Sequence, residues 1–149
     1  MNNYPTWWDK TTTVFNKYTD PTTQQVTWYA HKVDDCFWKF TGDMISIGNT
    51  SIDTQVVMCR IPKQENFAER EAWEAMSTED KQANFTLGVG DILILGDATD
   101  EAVDEYTKDK RSTDLINKYS RLQRCMLVKR FSINVGGGRG NEHYLARGV

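Results

Sequence analysis

The chain is poor in the residues that staple, anchor or catalyse. It has 149 residues and three cysteines, Cys36, Cys59 and Cys125. An odd number at wide spacing is not the even framework of a small secreted domain. The thiols are therefore expected as small buried hydrophobes of a soluble protein made in a reducing compartment. His31 and His143 are the two histidines, and no two of these five residues stand closer than five positions. Zinc sites usually draw on tighter ligand pairs, so no metal or other cofactor is expected. No wholly apolar run exceeds four residues, as in Ile92-Leu93-Ile94-Leu95, whereas a membrane helix needs about 20. A basic excess is also missing: 18 Lys and Arg face 21 Asp and Glu, a net charge of −3. That balance argues against a whole-chain grip on nucleic acid. The opening Met1-Asn2-Asn3-Tyr4-Pro5 does not have the layout of a secretory signal, and neither repeats nor low-complexity tracts occur.

What is abundant is aromatic and β-branched. Trp7, Trp8, Phe15, Tyr18, Trp28, Tyr29, Phe37, Trp38 and Phe40 crowd the first forty residues. Such side chains fit a pleated, half-buried surface and predict paired strands. Thr11 to Lys17 and Val26 to Val33 form a hairpin across the turn around Asp20-Pro21, and the second segment alternates as a two-faced strand should. A further strand is expected at Cys36 to Phe40 after a turn at Asp34-Asp35, and a short strand or loop arm at Met44 to Ile47 between two glycine pairs. Thr54 to Ile61 reads as a strand stopped by Pro62. Residues 62–86 are polar, with Phe67, Trp73 and Met76 as apolar points and Ser77-Thr78-Glu79-Asp80 as a helix start. This is a long insertion holding at most one or two short helices, of the kind that is often functional.

Strand pattern returns at Ile92 to Leu95, at Cys125 to Val135, and at His143 to Ala146. One short helix is expected at about 112–120, capped by Ser112 or Thr113, with Leu115, Ile116 and Tyr119 on one side. The sum, about seven strands in a single domain of residues 1–149, is mainly β: a small antiparallel barrel or sandwich.

The candidate chemical motifs read as ordinary structure. Gly88-Val89-Gly90 precedes a strand where a dinucleotide loop would open a helix, so it is a turn. Gly136 to Gly140 with Arg139 suits a hairpin turn, because glycine adopts positive φ without steric cost. The cysteines fall inside strands and not at a nucleophile elbow. No acid, base or nucleophile is poised, so no catalytic residue and no enzyme activity are expected. Two features point to assembly. Five tryptophans exceed what one thin core hides, which makes Trp7, Trp8, Tyr29 and Trp38 candidates for a subunit contact. The acidic stretch 97–105, with Asp97, Asp100 and Glu101, and the basic C-terminal third, with Arg130, Arg139 and Arg147, suit complementary patches.

Trp7-Trp8-Asp9-Lys10-Thr11-Thr12-Thr13-Val14-Phe15-Asn16-Lys17-Tyr18, Val26-Thr27-Trp28-Tyr29 and Cys36-Phe37-Trp38-Lys39 resemble the opening of a family of small tailed-phage structural proteins encoded among head–tail joining genes. Gly90 to Asp97, Leu115 to Tyr119, Val128 to Val135 and Asn141 to Gly148 extend the resemblance, while residues 63–86 have no counterpart in it. The resemblance implies a virion neck protein of the head-completion or stopper type, made in the host cytoplasm. It implies a β-barrel in a ring, typically dodecameric, with the portal or adaptor above and tail proteins below. A loop would reach the channel and hold packaged DNA without sequence-specific binding. Residues 42–53 are the first candidate for that loop, with Gly42, Asp43, Met44, Ile45, Gly48, Asn49 and Asp53, and residues 63–86 the second. An acidic lumen would offer DNA no counter-charge. The alternatives are a tail-completion or adaptor protein of the same neck and, from another class, a barrel stacking single-stranded nucleic acid on Trp28, Tyr29, Phe37 or Trp38.

Overall fold

The computed structural model describes residues 4–47, 50–135 and 142–149, with the backbone alone for 42–47 and 50–55. Its strands are β1 (Lys10–Thr19), β2 (Val26–Ile47), β3 (Thr50–Pro62), β4 (Ile92–Leu95), β5 (Cys125–Asn134) and β6 (His143–Gly148). They close into an antiparallel barrel in the order β1-β2-β3-β6-β5-β4, with the β1–β4 ladder from Thr12↔Leu95 to Phe15↔Ile92 sealing it. The helices are α1 (Arg70–Glu74), α2 (Thr78–Ala83) and α3 (Ser112–Ser120).

The strand count is lower than expected because three predicted strands are one. β2 runs through Asp34-Asp35 without a turn. Cys36 pairs with Lys10 but Val33 with Thr12, so β2 carries one extra residue there. Asp35 absorbs it at φ 60°, the left-handed region that aspartate tolerates, and the strand bends without stopping. This bulge is where β2 stops pairing with β1 and continues with β3 alone. A second bulge in β5, between Val128 and Arg130, lets β5 turn from β4 to β6. Close packing there demands Gly148, since a Cβ at that position would stand 1.9 Å from the Leu127 carbonyl oxygen.

Two cores result. The barrel interior holds Val14, Val33, Cys36, Val57, Cys59, Ile61, Leu93, Met126, Val128, Tyr144 and Ala146, all buried. A second cluster lies between strand residues Phe15, Ile92, Ile94 and Cys125 and the α3 side chain Leu115, flanked by Ile116 and Tyr119. Thus α3 lays its apolar stripe on the β1-β4-β5 part of the wall, as its spacing predicts. Its start differs from expectation. Arg111 is the cap position, and the Asp114 carboxylate accepts from the Arg111 backbone N–H at 3.2 Å. The Asp114 carboxylate thus supplies the reach-back half of a capping box, satisfying the cap residue's own N–H. At α2 the expected start holds, with Ser77 Oγ accepting from Asp80 N–H at 3.2 Å.

Candidate functional site

Three regions of the surface remain to be explained: the insertion, the long hairpin and the bare wall.

The insertion is part of the core. Phe85 and Leu87 enter the barrel interior and Phe67 packs against it. Phe67 stacks on Tyr144 at 3.8 Å and meets Phe85 edge-on at 5.4 Å. Trp73, on α1, is wholly buried and meets Tyr29 and Tyr18 edge-on at 5.6 and 6.3 Å. Its Nε1 donates to the Lys81 and Asn84 carbonyls. Lys81 is itself buried, with Nζ 4.0 Å from the Tyr18 ring centre and donating to the Met76 carbonyl at 2.7 Å. A polar clasp completes the seal. Asp91, fully buried, accepts from Asn16 Nδ2 at 2.8 Å, Lys17 N–H at 3.0 Å and Arg70 Nη1 at 2.8 Å. Arg70 Nη2 also donates to the Lys17 carbonyl. Burial raises the Asp91 pKa above the ordinary carboxylate value, against the opposing pull of Arg70 and the other donors. Such an arrangement fastens the insertion, the second channel-loop candidate, to β1.

The long hairpin is the reverse. The β2–β3 ladder continues through seven further pairs, from Thr41↔Val56 to Ile47↔Thr50. β1 has no partner in this part of β2, and β6 pairs only with Val57 to Pro62 of β3. A two-stranded arm therefore extends about 20 Å past the barrel wall. It carries Gly42, Asp43, Met44, Ile45 and Asp53, with Met44 opposite Asp53 and Ile45 opposite Ile52. Gly48 and Asn49 lie outside the described residues. Among the described residues neither strand edge of the arm is paired, which leaves rows of backbone N–H and C=O groups for another chain to bond.

The bare wall lies across β2, β3, β6 and β5. Register aligns Lys39 with Met58, Met58 with Arg147, and Arg147 with Arg130, which is one row across four strands. The neighbouring row runs Phe37, Arg60, Leu145 and Ser132. Among the described residues, none of these four cations has an acidic partner. Arg60 lies over the Phe37 ring at 5.8 Å, and its buried Nε has no hydrogen-bond partner. A cavity of about 240 Å³ opens between Arg130, Phe131, Ser132, Leu145 and Arg147.

Among the aromatic interface candidates, Trp7 is 64% exposed. Trp8 is buried, stacked on Tyr4 at 5.1 Å and Phe37 at 6.4 Å with His143 edge-on at 5.7 Å. Tyr29 is buried under Trp73, and Trp38 is half-buried, its Nε1 donating to Thr12 Oγ1 at 2.7 Å. Intrachain packing therefore takes Trp8 and Tyr29 out of any free surface. Of the rings named for the rival stacking platform, Tyr29 is buried, Trp28 and Trp38 are half-buried with Trp28 Nε1 donating to Glu105 at 3.0 Å, and the half-buried Phe37 lies between Trp8 and Arg60.

The acidic segment is ordered by its own carboxylates. Asp97 accepts from the Thr99 hydroxyl and N–H, and these bonds lower its pKa. Glu101 takes the Lys118 ammonium and the Tyr119 hydroxyl, and the Lys118 bond lowers its pKa. Asp104 accepts from Tyr106 N–H and the Thr107 hydroxyl. Asp100 is exposed with no such bond among the described residues. Arg130 and Arg147 are exposed, and Arg139 lies outside the described residues.

The thiols are free and buried. Burial raises the Cys59 thiol well above its ordinary pKa and Cys125 to about 11, far from the lowered values of reactive cysteines. Among the described residues no group of three His, Cys, Asp or Glu side chains could hold a metal ion, and no helix is long and apolar enough to cross a membrane. Neither the curated proteins nor the solved structures contain a match to this chain. A family of unknown function, DUF6751, matches residues 7–149. The chain, over nearly its whole length, is a member of the DUF6751 family.

Proposed function

We propose that this protein is a structural subunit of a tailed-phage neck, not an enzyme. It assembles as a ring beneath the portal or adaptor, closes the DNA channel and gives the tail a docking surface. The observation that carries this reading is the β2–β3 arm. The resemblance implies a channel loop, and the first candidate for it, residues 42–53, falls on the two-stranded projection, which holds 42–47 and 50–53. An isolated hairpin is marginal in water, so an arm this long makes sense where other chains receive it. Rings of arms from adjacent copies would meet on the axis, with Asp43 and Asp53 contributing negative charge that DNA phosphates do not pair with. The buried, unactivated thiols fit a role without chemistry.

The test is made in assembled particles. Asp43→Lys with Asp53→Lys should slow DNA ejection or retain DNA in the capsid, because lysines at the lumen pair with phosphates. Ejection at the unaltered rate would remove the arm from the channel. Imaging of the purified chain or of the virion neck checks the ring itself; a subunit absent from particles would end the reading.

A further inference from the structure

The geometry points to a specific contact between copies: the carboxylate of Asp100 on one subunit enters the cavity between Arg130 and Arg147 of the next. This rests on the ring reading and names the partner surfaces that close the ring.

The argument begins with register. Arg130 and Arg147 stand directly opposite on the β5–β6 ladder, an arrangement of like charges that destabilises a sheet unless something neutralises it. Lys39 lies in the same row and Arg60 in the next, so the positive field spans four strands, about 14 Å at the normal strand spacing. No acidic side chain among the described residues answers it. The cavity floor is not purely polar. Leu145 and Phe131 flank the guanidinium groups, and Ser132 adds a hydroxyl. Two planar guanidinium forks beside an apolar floor suit a carboxylate with its methylene stem.

The anion can be narrowed in turn. Four basic residues on a wall 14 Å wide make a patch, where a nucleic-acid track would run on and would show bases their stacking rings. Of the candidate stacking rings Tyr29 is buried and Phe37 is covered by Trp8 and Arg60, and the whole chain is negative. The complementary surface is on the same molecule but on the other part of the barrel wall, where α3 packs and the acidic segment precedes it. Opposite charges on two different patches of one subunit are what a head-to-tail contact requires, and such contacts generate rings. Within the acidic segment, Asp97, Glu101, Asp104 and Glu105 are held by bonds inside the subunit. Asp100 alone has none among the described residues, so it is the carboxylate free to leave its own surface.

Charge reversal in the full chain tests this by sedimentation velocity over a concentration series. Arg147→Glu and, separately, Asp100→Lys should each weaken self-association on the order of tenfold or more. The melting temperature of the dilute chain should not fall for either variant, since both side chains are exposed and Arg147→Glu replaces a like-charge pair with an opposite one. The double variant carrying both reversals should recover assembly, because the swapped charges face one another again. Four results would overturn the inference. If Arg147→Glu assembles like the parent, the contact is elsewhere while the ring reading stands. If both single variants fail and the double variant does not recover, Asp100 is not the partner. If assembly is untouched but Arg147→Glu abolishes binding of a short DNA duplex at low salt, the row is a phosphate site. A parent chain that stays monomeric at every concentration would remove this contact and the ring together.

Discussion

The chain leaves its barrel twice, and the two excursions obey opposite physics. Residues 63–87 are polar by composition, yet they return to the barrel, where Phe85 and Leu87 enter the interior, Phe67 packs against it and Trp73 is buried against Tyr18 and Tyr29. Residues 41–56 are rich in strand formers, yet among the described residues their backbone pairs only with itself. Insertion length and polarity therefore say little about mobility. What separates the two is the number of buried aromatic anchors, since each ring removes a large apolar area from water. An insertion anchored by the rings of Phe67, Trp73 and Phe85 is part of the fold. An arm whose edges are unpaired is available to other chains, and that difference places the candidate function in the arm.

The comparison can be broken most severely at Trp73. Trp73→Ala leaves a cavity beneath Tyr18 and Tyr29 and should cost about 3–5 kcal/mol in denaturant unfolding; a small loss would mean that the insertion is not a structural plug. Next comes the clasp. Arg70→Ala leaves Asp91 buried without its cation, and removing one member of a buried pair costs about 3–5 kcal/mol; the partial exposure of Arg70 places the expected loss at the lower end. The sign of the pH dependence is distinctive. Asp91 has a folded pKa above its ordinary 3.8, so its contribution to stability falls as pH rises from that value through the folded one. Removing Arg70 raises the folded value further, so the deficit of the variant should deepen as pH rises from about 4 and be least at the acid end. Thermal melts across that range check it; a deficit that grows toward acid would show Arg70 acting elsewhere.

Shortening the arm should have a small effect on the fold and a large one on assembly. Replacing residues 42–55 by a two-residue Asn-Gly turn should alter unfolding free energy by no more than about 0.5 kcal/mol, as for surface changes away from the core. Sedimentation of the same variant should show lost self-association. If instead the shortened chain unfolds, the arm belongs to the core and the contrast collapses. The smallest effect is expected at Lys118→Met, on an exposed ion pair with Glu101 that water and salt screen; its melting temperature should match the parent.

Much of the barrel was legible in the chain. Alternation at Val26 to Val33 and Cys125 to Val135 and the apolar run Ile92 to Leu95 between two glycine turns located strands, and the 3.6-residue spacing of Leu115, Ile116 and Tyr119 located α3. The Asp34-Asp35 break was misread because a left-handed aspartate serves a bulge as well as a turn, and only strand pairing tells them apart. The insertion and its two short helices were legible, but its seating in the barrel was not, for a related reason. Phe67, Trp73 and Phe85 are too far apart in the chain to form a local periodic pattern, and their common burial arises only when the barrel end receives them. The basic row is the clearest case of a signal invisible to linear reading. Lys39, Arg60, Arg130 and Arg147 come from four segments, and only the register of three ladders sets them side by side.

Local chemistry, then, decided what lies within reach of one side chain or one turn: which stretches are strands, where α2 and α3 begin, and that the thiols would be buried apolar groups. Those outcomes follow from backbone sterics and from periods of two and 3.6 residues, which act over neighbouring positions. Closure of six strands, the seating of the insertion, the freedom of the arm and the meeting of four cations on one wall were decided by the folded chain. They depend on pairing between residues tens of positions apart, which no local preference encodes.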